Sequence, residues 1–142
     1  METLKEARKM IDGYARWLAD NTELQQALDG WTEITTPFLD RHNDCLQIYL
    51  RREAEGGWTL TDFAYTIRNL STAGIDAEAP QMRRFINEAI IGQGVRRDGE
   101  DICASARNSA DLPDRLHALI QAMLAVDGIA EMERIRNERS VI

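Results

Sequence analysis

Four residues in the middle of the sequence have the types and spacing to do chemistry: Asp40, His42, Asp44 and Asp62. Carboxylate oxygens bind hard divalent cations, and a carboxylate or imidazole beside a reacting group can move a proton. Three acids and an imidazole at strand ends therefore admit two readings. In one, Asp40, Asp44 and Asp62 serve a metal-dependent phosphodiesterase, in the manner of nucleases that set acids on a hairpin beside a lysine. In the other, Asp40 and Asp44 shape a loop through backbone hydrogen bonds, while Asp62 caps a helix. The strand after Asp44 reads Leu46-Gln47-Ile48-Tyr49-Leu50, without Glu-x-Lys, and the lysines, Lys5 and Lys9, sit in the first helix. The second reading is favoured. The four residues stand as binding candidates, with no catalytic residue, metal or cofactor assigned.

Other chemistry is sparse. His42 and His117 are isolated, and no H-x-x-x-H or Cys/His quartet marks a zinc site. Cys45 and Cys103 have no C-x-x-C spacing and read as reduced, buried small residues; a nucleophilic thiol needs a basic partner to hold it as thiolate. Gly92-Gln93-Gly94 follows a helix instead of opening one, so it reads as a helix stop and not a phosphate cradle. Arg51-Arg52, Arg83-Arg84 and Arg96-Arg97 each have acids within a few residues and read as internally compensated. Trp17, Trp31 and Trp58 are expected in the core; two of them exposed together would mark a protein contact.

The elements that must position these residues follow from periodicity. Leu4, Ala7, Ile11, Tyr14 and Leu18 recur at three- and four-residue steps, one apolar stripe of a helix over 2–19. Thr22 and Gln25 suggest a capping box for a short second helix carrying Leu24 and Leu28. Trp31 to Thr36 alternates as a strand that Pro37 ends or confines to an edge. Leu46, Ile48 and Leu50 face one way and Gln47, Tyr49 and Arg51 the other; Gly56-Gly57 then turns the chain into Trp58-Thr59-Leu60. Asp62 or Thr61 caps a helix with Ala64, Ile67 and Leu70, and Pro80 opens another with Met82, Phe85, Ile86 and Ile90. Asp98-Gly99 signals a short hairpin. The last helix carries Leu112, Leu116, Leu119, Ile120, Met123 and Leu124, and Asp127-Gly128 should break or kink it. The expectation is an α+β fold: a three-stranded antiparallel meander plus a short Asp-Gly hairpin, packed by N-terminal, central and C-terminal helices. Residues 1–142 form a single domain, from which 129–142 can project as a helical arm.

With 142 residues, 44% hydrophobic and 29% charged, the chain can bury a core of its own. A net charge of −7 argues against direct nucleic-acid binding, which needs clustered cations. No apolar run reaches the roughly 20 residues that span a bilayer, and the charged start METLKEARKM has no leader character, so a cytoplasmic protein is expected.

The pattern from Trp31 onward resembles a bacterial and prophage family catalogued as domain of unknown function 1828, over about residues 31–126. It is carried by Ile34-Thr35-Thr36-Pro37-Phe38-Leu39-Asp40, Asn43-Asp44 before Gln47-Ile48-Tyr49-Leu50, Leu60-Thr61-Asp62 before Tyr65-Thr66-Ile67, Gly74-Ile75, Gly94-Val95, Gly99-Glu100 and the terminal Leu119-Ile120-Gln121-Ala122-Met123-Leu124. The resemblance implies a bacterial or phage origin and carries no activity across. Where the family continues threonine-aspartate with aspartate-glycine, this chain has Phe63-Ala64. The functional expectation is a non-enzymatic regulatory protein that binds another protein or itself as a homodimer, with the narrow apolar edge of the C-terminal segment as contact. A sharper version is an anti-defence inhibitor whose acidic face blocks a nucleic-acid channel. The alternatives are the phosphodiesterase above and an architectural subunit of a larger assembly.

Overall fold

Alternation of apolar and polar residues dictates the centre of the molecule, because a strand sends successive side chains to opposite faces. The computed structural model describes residues 1–92 and 94–140. In chain order it contains helix α1 (Glu2–Asp20), strands β1 (Glu23–Gln26), β2 (Thr32–Leu39), β3 (Cys45–Arg52) and β4 (Trp58–Thr61), helices α2 (Tyr65–Asn69) and α3 (Pro80–Ile90), strands β5 (Arg96–Asp98) and β6 (Asp101–Ala106), and helix α4 (Leu112–Ser140). The strands form one antiparallel sheet in the order β1-β2-β3-β4-β6-β5.

The fold is α+β, and the sheet has six strands where a three-stranded meander and a separate hairpin were expected. Two pairings make the difference. Strand β6 pairs along β4, Leu60 opposite Ala104, which joins the hairpin to the meander. Residues 23–26 are a strand and not a helix, with Leu24 opposite Ile34. The hydroxyl of Thr22 donates back to the Leu18 carbonyl at 2.7 Å, closing α1 instead of capping a second helix. Pro37 falls where the β2–β3 register shifts and where β2 has passed the end of β1, so its missing N–H breaks no ladder bond on that side. In the β5–β6 hairpin Asp98 and Asp101 are paired, so the two-residue loop is Gly99-Glu100.

One face of the sheet supplies the core. Ile34 lies opposite Ile48, and Leu50 opposite Leu60; Leu46, Ile48, Leu60 and Ile102 are buried with Ile67, Leu70, Ile86, Leu119, Met123 and Val126 from the helices. α2 and α4 pack on this face, and α3 packs on α4. α4 runs unbroken through Asp127-Gly128: a helical glycine costs about 1 kcal/mol, and the neighbours Val126, Ile129 and Ala130 are all buried. The packed part of α4 thus reaches Ala130, and Ile129, the first residue of the stretch expected to project, belongs to the core. Gln93, Val141 and Ile142, part of the glycine pair and of the tail, lie outside the described residues. None of the tryptophans is fully buried: Trp17 is exposed, and Trp31 and Trp58 are half-buried. No helix among the described residues is long and apolar enough to cross a membrane.

Candidate functional site

The loop between β2 and β3 is built around Asp40. Its Oδ1 accepts the backbone N–H groups of His42 at 2.8 Å and Asp44 at 3.1 Å, and its Oδ2 accepts the Tyr65 hydroxyl at 3.2 Å. Asn43 takes the left-handed conformation that closes the turn, at φ 62°. Beneath this loop lies a feature that the sequence did not disclose. Arg41 turns inward: its Nη1 donates to Asp127 Oδ1 at 2.6 Å, its backbone N–H to Asp127 Oδ2 at 2.8 Å, and its Nη2 to the Asn69 carbonyl and Thr72 hydroxyl. The two charged side chains are only 9% and 12% exposed. One guanidinium thereby ties the loop to α4 and to the end of α2.

Asp62 is committed in the same manner. Its Oδ1 accepts the N–H groups of Ala64 and Ile102, and its Oδ2 that of Thr66, so it fixes the turn into α2 and clamps β6. The residue is 1% exposed and its oxygens are engaged by backbone. Among the described residues no group of three or more His, Cys, Asp or Glu is disposed to hold a metal ion.

The structure does bring three of the four sequence candidates to one place. Asp44 and Asp62 line a groove beside Phe63 and Tyr65, and Asp40 reaches it through the Tyr65 hydroxyl. His42 is turned away, into a cleft with Arg41, Glu131 and Arg134.

That groove belongs to the sheet face opposite the core, and among the described residues the helices that pack on the sheet do so on the core face. Register places Glu33, Tyr49, Thr61, Cys103 and Arg96 opposite one another in a row across five strands, with Arg51, Thr59 and Ser105 alongside. Three rings stand on this face: Phe63 lies 4.8 Å from Trp31, edge-on, and 4.6 Å from Tyr49. Both Phe63 and Ala64 have positive φ, 52° and 68°. The Thr61 hydroxyl and Asp62 carboxylate accept their N–H groups and hold this strained turn in place. The Phe63-Ala64 departure therefore keeps a tight turn without its usual residues.

Titration behaviour is perturbed on the same face. Burial, then the neighbouring Glu33 carboxylate, pushes the Tyr49 phenol up; burial, then Asp40, Asp44 and Asp127, does the same to Tyr65. Burial raises the Asp101 carboxyl, helped by Asp62 and Asp98, and also raises the Cys103 thiol. Hydrogen bonds from Thr59 and Arg51 lower Glu53. A raised thiol is the opposite of an activated nucleophile. Cys45 is exposed, not buried as expected, and both cysteines are free. The arginine pairs are compensated in half: Glu78 takes Arg83 and Arg97 and Glu53 takes Arg51, while Arg52 lies over Trp58 and Arg96 donates to the Ser105 hydroxyl.

A second surface stands apart. α1 buries none of its residues and forms no substantial packing interface with another element. Leu4, Met10, Ile11, Tyr14 and Trp17 are between 48% and 71% exposed.

No curated protein and no solved structure matches the chain. The sequence profile described as "Domain of unknown function DUF1828" matches residues 36–126, which spans β2 to the middle of α4 and includes the Asp40 loop, the Asp62 turn and most of the open sheet face. Because that match covers more than half of its length, the chain belongs to the DUF1828 family.

Proposed function

We propose that this chain is a non-enzymatic interaction protein that acts as a pair of copies joined through α1. The observation that carries the reading is the exposed stripe of α1. Leu4, Ala7, Ile11, Tyr14 and Leu18 keep the alternating three- and four-residue spacing of a helix–helix seam, and Met10 and Trp17 flank it. A stripe of this kind in an isolated helix is unfavourable in water, and tertiary or intermolecular packing is what holds such helices.

A second copy fits this surface better than an arbitrary partner does. α1 contains Glu2, Glu6, Asp12 and Asp20 against Lys5, Arg8, Lys9 and Arg16, so it is neutral in a chain whose net charge is −7. Two copies can meet there without repulsion. The five exposed apolar side chains offer roughly 600 Å2 per copy, which doubled reaches about 1,200 Å2, the lower bound for a stable interface. The version in which an acidic face mimics nucleic acid has less to draw on, because carboxylates such as Glu53, Glu78 and Asp127 are spent on arginines.

The test is the native mass across the micromolar range, by sedimentation or native mass spectrometry. The parent is expected at twice the chain mass, and Ile11→Glu at the chain mass with its unfolding transition still cooperative. A parent that remains monomeric throughout that range ends the proposal.

A further inference from the structure

The row of rings on the open sheet face has two ends, and the chain itself occupies one of them. At the Trp31 end, the Arg51 guanidinium lies 4.3 Å from the ring centroid while its Nε pairs with Glu53 at 3.3 Å. That is an arginine held between an aromatic face and a carboxylate, an arrangement in which ring quadrupole and charge act together. At the other end, Phe63, Tyr49 and Tyr65 form walls around a groove of about 510 Å3 with Thr35 and Gln47 in its floor. Two carboxylates line it: Asp62, whose oxygens are taken by backbone N–H groups, and Asp44, which is exposed and has no hydrogen bond or ion pair to its side chain among the described residues. Among the described residues no lysine, arginine or histidine lines this groove.

We infer that the groove between Phe63, Tyr49 and Tyr65 receives an arginine side chain presented by a protein partner, with Asp44 as its counter-charge. The occupied Trp31 end shows what the surface does with a guanidinium, and the Asp44 end repeats the chemistry without a guest of its own. Carboxylates surround it: Asp44 lines the groove, Asp40 accepts the Tyr65 hydroxyl and Glu33 that of Tyr49, and these acids add to burial in pushing both phenols up. The floor is fixed before any guest arrives, since Gln47 Nε2 donates to Glu33 and Thr35, and the Tyr49 and Tyr65 hydroxyls donate to Glu33 and Asp40. Phe63 is fixed by its turn. The volume lies within the range of small-ligand sites and exceeds what an ammonium fills, which suits a planar guanidinium with its methylene stem.

This inference rests on the protein-binding reading only in naming a protein as the source of the guest. The probe is a capped Gly-Arg-Gly peptide titrated into the full chain, followed by NMR shifts of the aromatic rings. Its citrulline counterpart, which keeps the shape and loses the charge, and free arginine are run beside it. Shifts are expected at Tyr49, Phe63 and Tyr65, with affinity reduced at least about fivefold by Asp44→Asn and by the citrulline exchange, and falling as salt rises. Equal binding of the citrulline peptide, shifts confined to other residues, or indifference to Asp44→Asn would overturn the site. Free arginine binding more than tenfold tighter than the capped peptide would overturn the protein source. Asp44→Asn is expected to keep the parent's urea midpoint and slope, so that its loss of binding is not a folding effect. Native mass recorded on the same samples separates this outcome from the pairing through α1, because either can fail while the other holds.

Discussion

Replacing Asp127 with alanine removes one partner of the least exposed ion pair and leaves the other in place. Arg41 then keeps its bonds to Asn69 and Thr72 but loses acceptors for Nη1 and for its own backbone N–H. With the Arg41 side chain only 9% exposed, water reaches these donors poorly. Orphaning a buried donor costs about 1–3 kcal/mol each, and breaking a buried pair by removing one partner costs about 3–5 kcal/mol, so two routes converge near 4 kcal/mol. Alanine's better helix propensity offsets about 0.5 kcal/mol of that. Set against a total stability of about 5–15 kcal/mol, the loss is large. Urea unfolding of the parent and Asp127→Ala should show a midpoint lowered at unchanged slope, equivalent to about 3 kcal/mol or more. The double variant Arg41→Met with Asp127→Leu removes the stranded charge and should lose less than Asp127→Ala alone, although it carries two changes. A loss below about 1 kcal/mol in the single variant, or a double variant as damaged as two independent lesions, would refute the account of Arg41 as a buried clamp.

Gly74, at φ 76° with open space around the position of a Cβ, should lose about 1 kcal/mol on replacement by alanine and less by asparagine, measured by the same unfolding curves. A maleimide should label one thiol per native chain, Cys45, and reach the buried Cys103 only on denaturation, as read by mass spectrometry. Asp101→Asn should raise stability at neutral pH by about 0.5 kcal/mol, because burial, then Asp62 and the directly opposed Asp98, disfavour the charged carboxylate. The Asp101 carboxyl titrates above its unfolded value when folded, so the folded chain binds this proton more tightly. The penalty is therefore present when the pH is above the folded pKa. As pH falls the advantage of asparagine should shrink, disappearing below the unfolded pKa; a pH-independent gain would contradict the assignment.

The sequence carried the central strands because Leu46, Ile48 and Leu50 alternate with polar residues over a long enough run to fix both period and face. It did not carry β1. Glu23-Leu24-Gln25-Gln26 has one apolar residue in four exposed positions, and its strand character comes wholly from lying beside β2. Thr22 before it serves equally well as a helix cap or as a back-bonded helix terminus, and local sequence does not separate the two. Asp40 was legible as a loop-shaper, since carboxylates near turns commonly accept backbone N–H groups, whereas Asp44, read the same way, contributes only its backbone, and Asp62, read as a helix cap, holds the turn two residues before the Ala64 cap. The Arg41–Asp127 clamp was hidden by 86 residues of separation and by a glycine beside Asp127 that looked like a helix breaker. The row Glu33-Tyr49-Thr61-Cys103-Arg96 exists only once register is known; no member alone points to the others. α1 was legible as a helix, yet its period is the same whether the stripe meets the chain's own core or a partner.

The turn at Phe63-Ala64 poses the sharper question of what a strained backbone is kept for. Two consecutive positive φ values are the geometry that aspartate-glycine or asparagine-glycine adopts at little cost, and a residue with a Cβ adopts at about 1–2 kcal/mol each. Against roughly 3 kcal/mol of strain stand the ring contacts of Phe63 with Trp31 and Tyr49, about 0.5–1.5 kcal/mol apiece, and the buried Ala64 methyl, about 0.8 kcal/mol. The two sides nearly cancel. Phe63→Asn combined with Ala64→Gly should therefore leave unfolding stability within about 1 kcal/mol of the parent, while stripping the groove of one wall and abolishing ring shifts by the arginine peptide. A loss of about 3 kcal/mol or more would mean that the rings outweigh the strain and that Phe63 is a packing residue. Unchanged stability with lost binding would mean that the chain tolerates the left-handed turn because it presents the ring, since folding alone gains nothing from it.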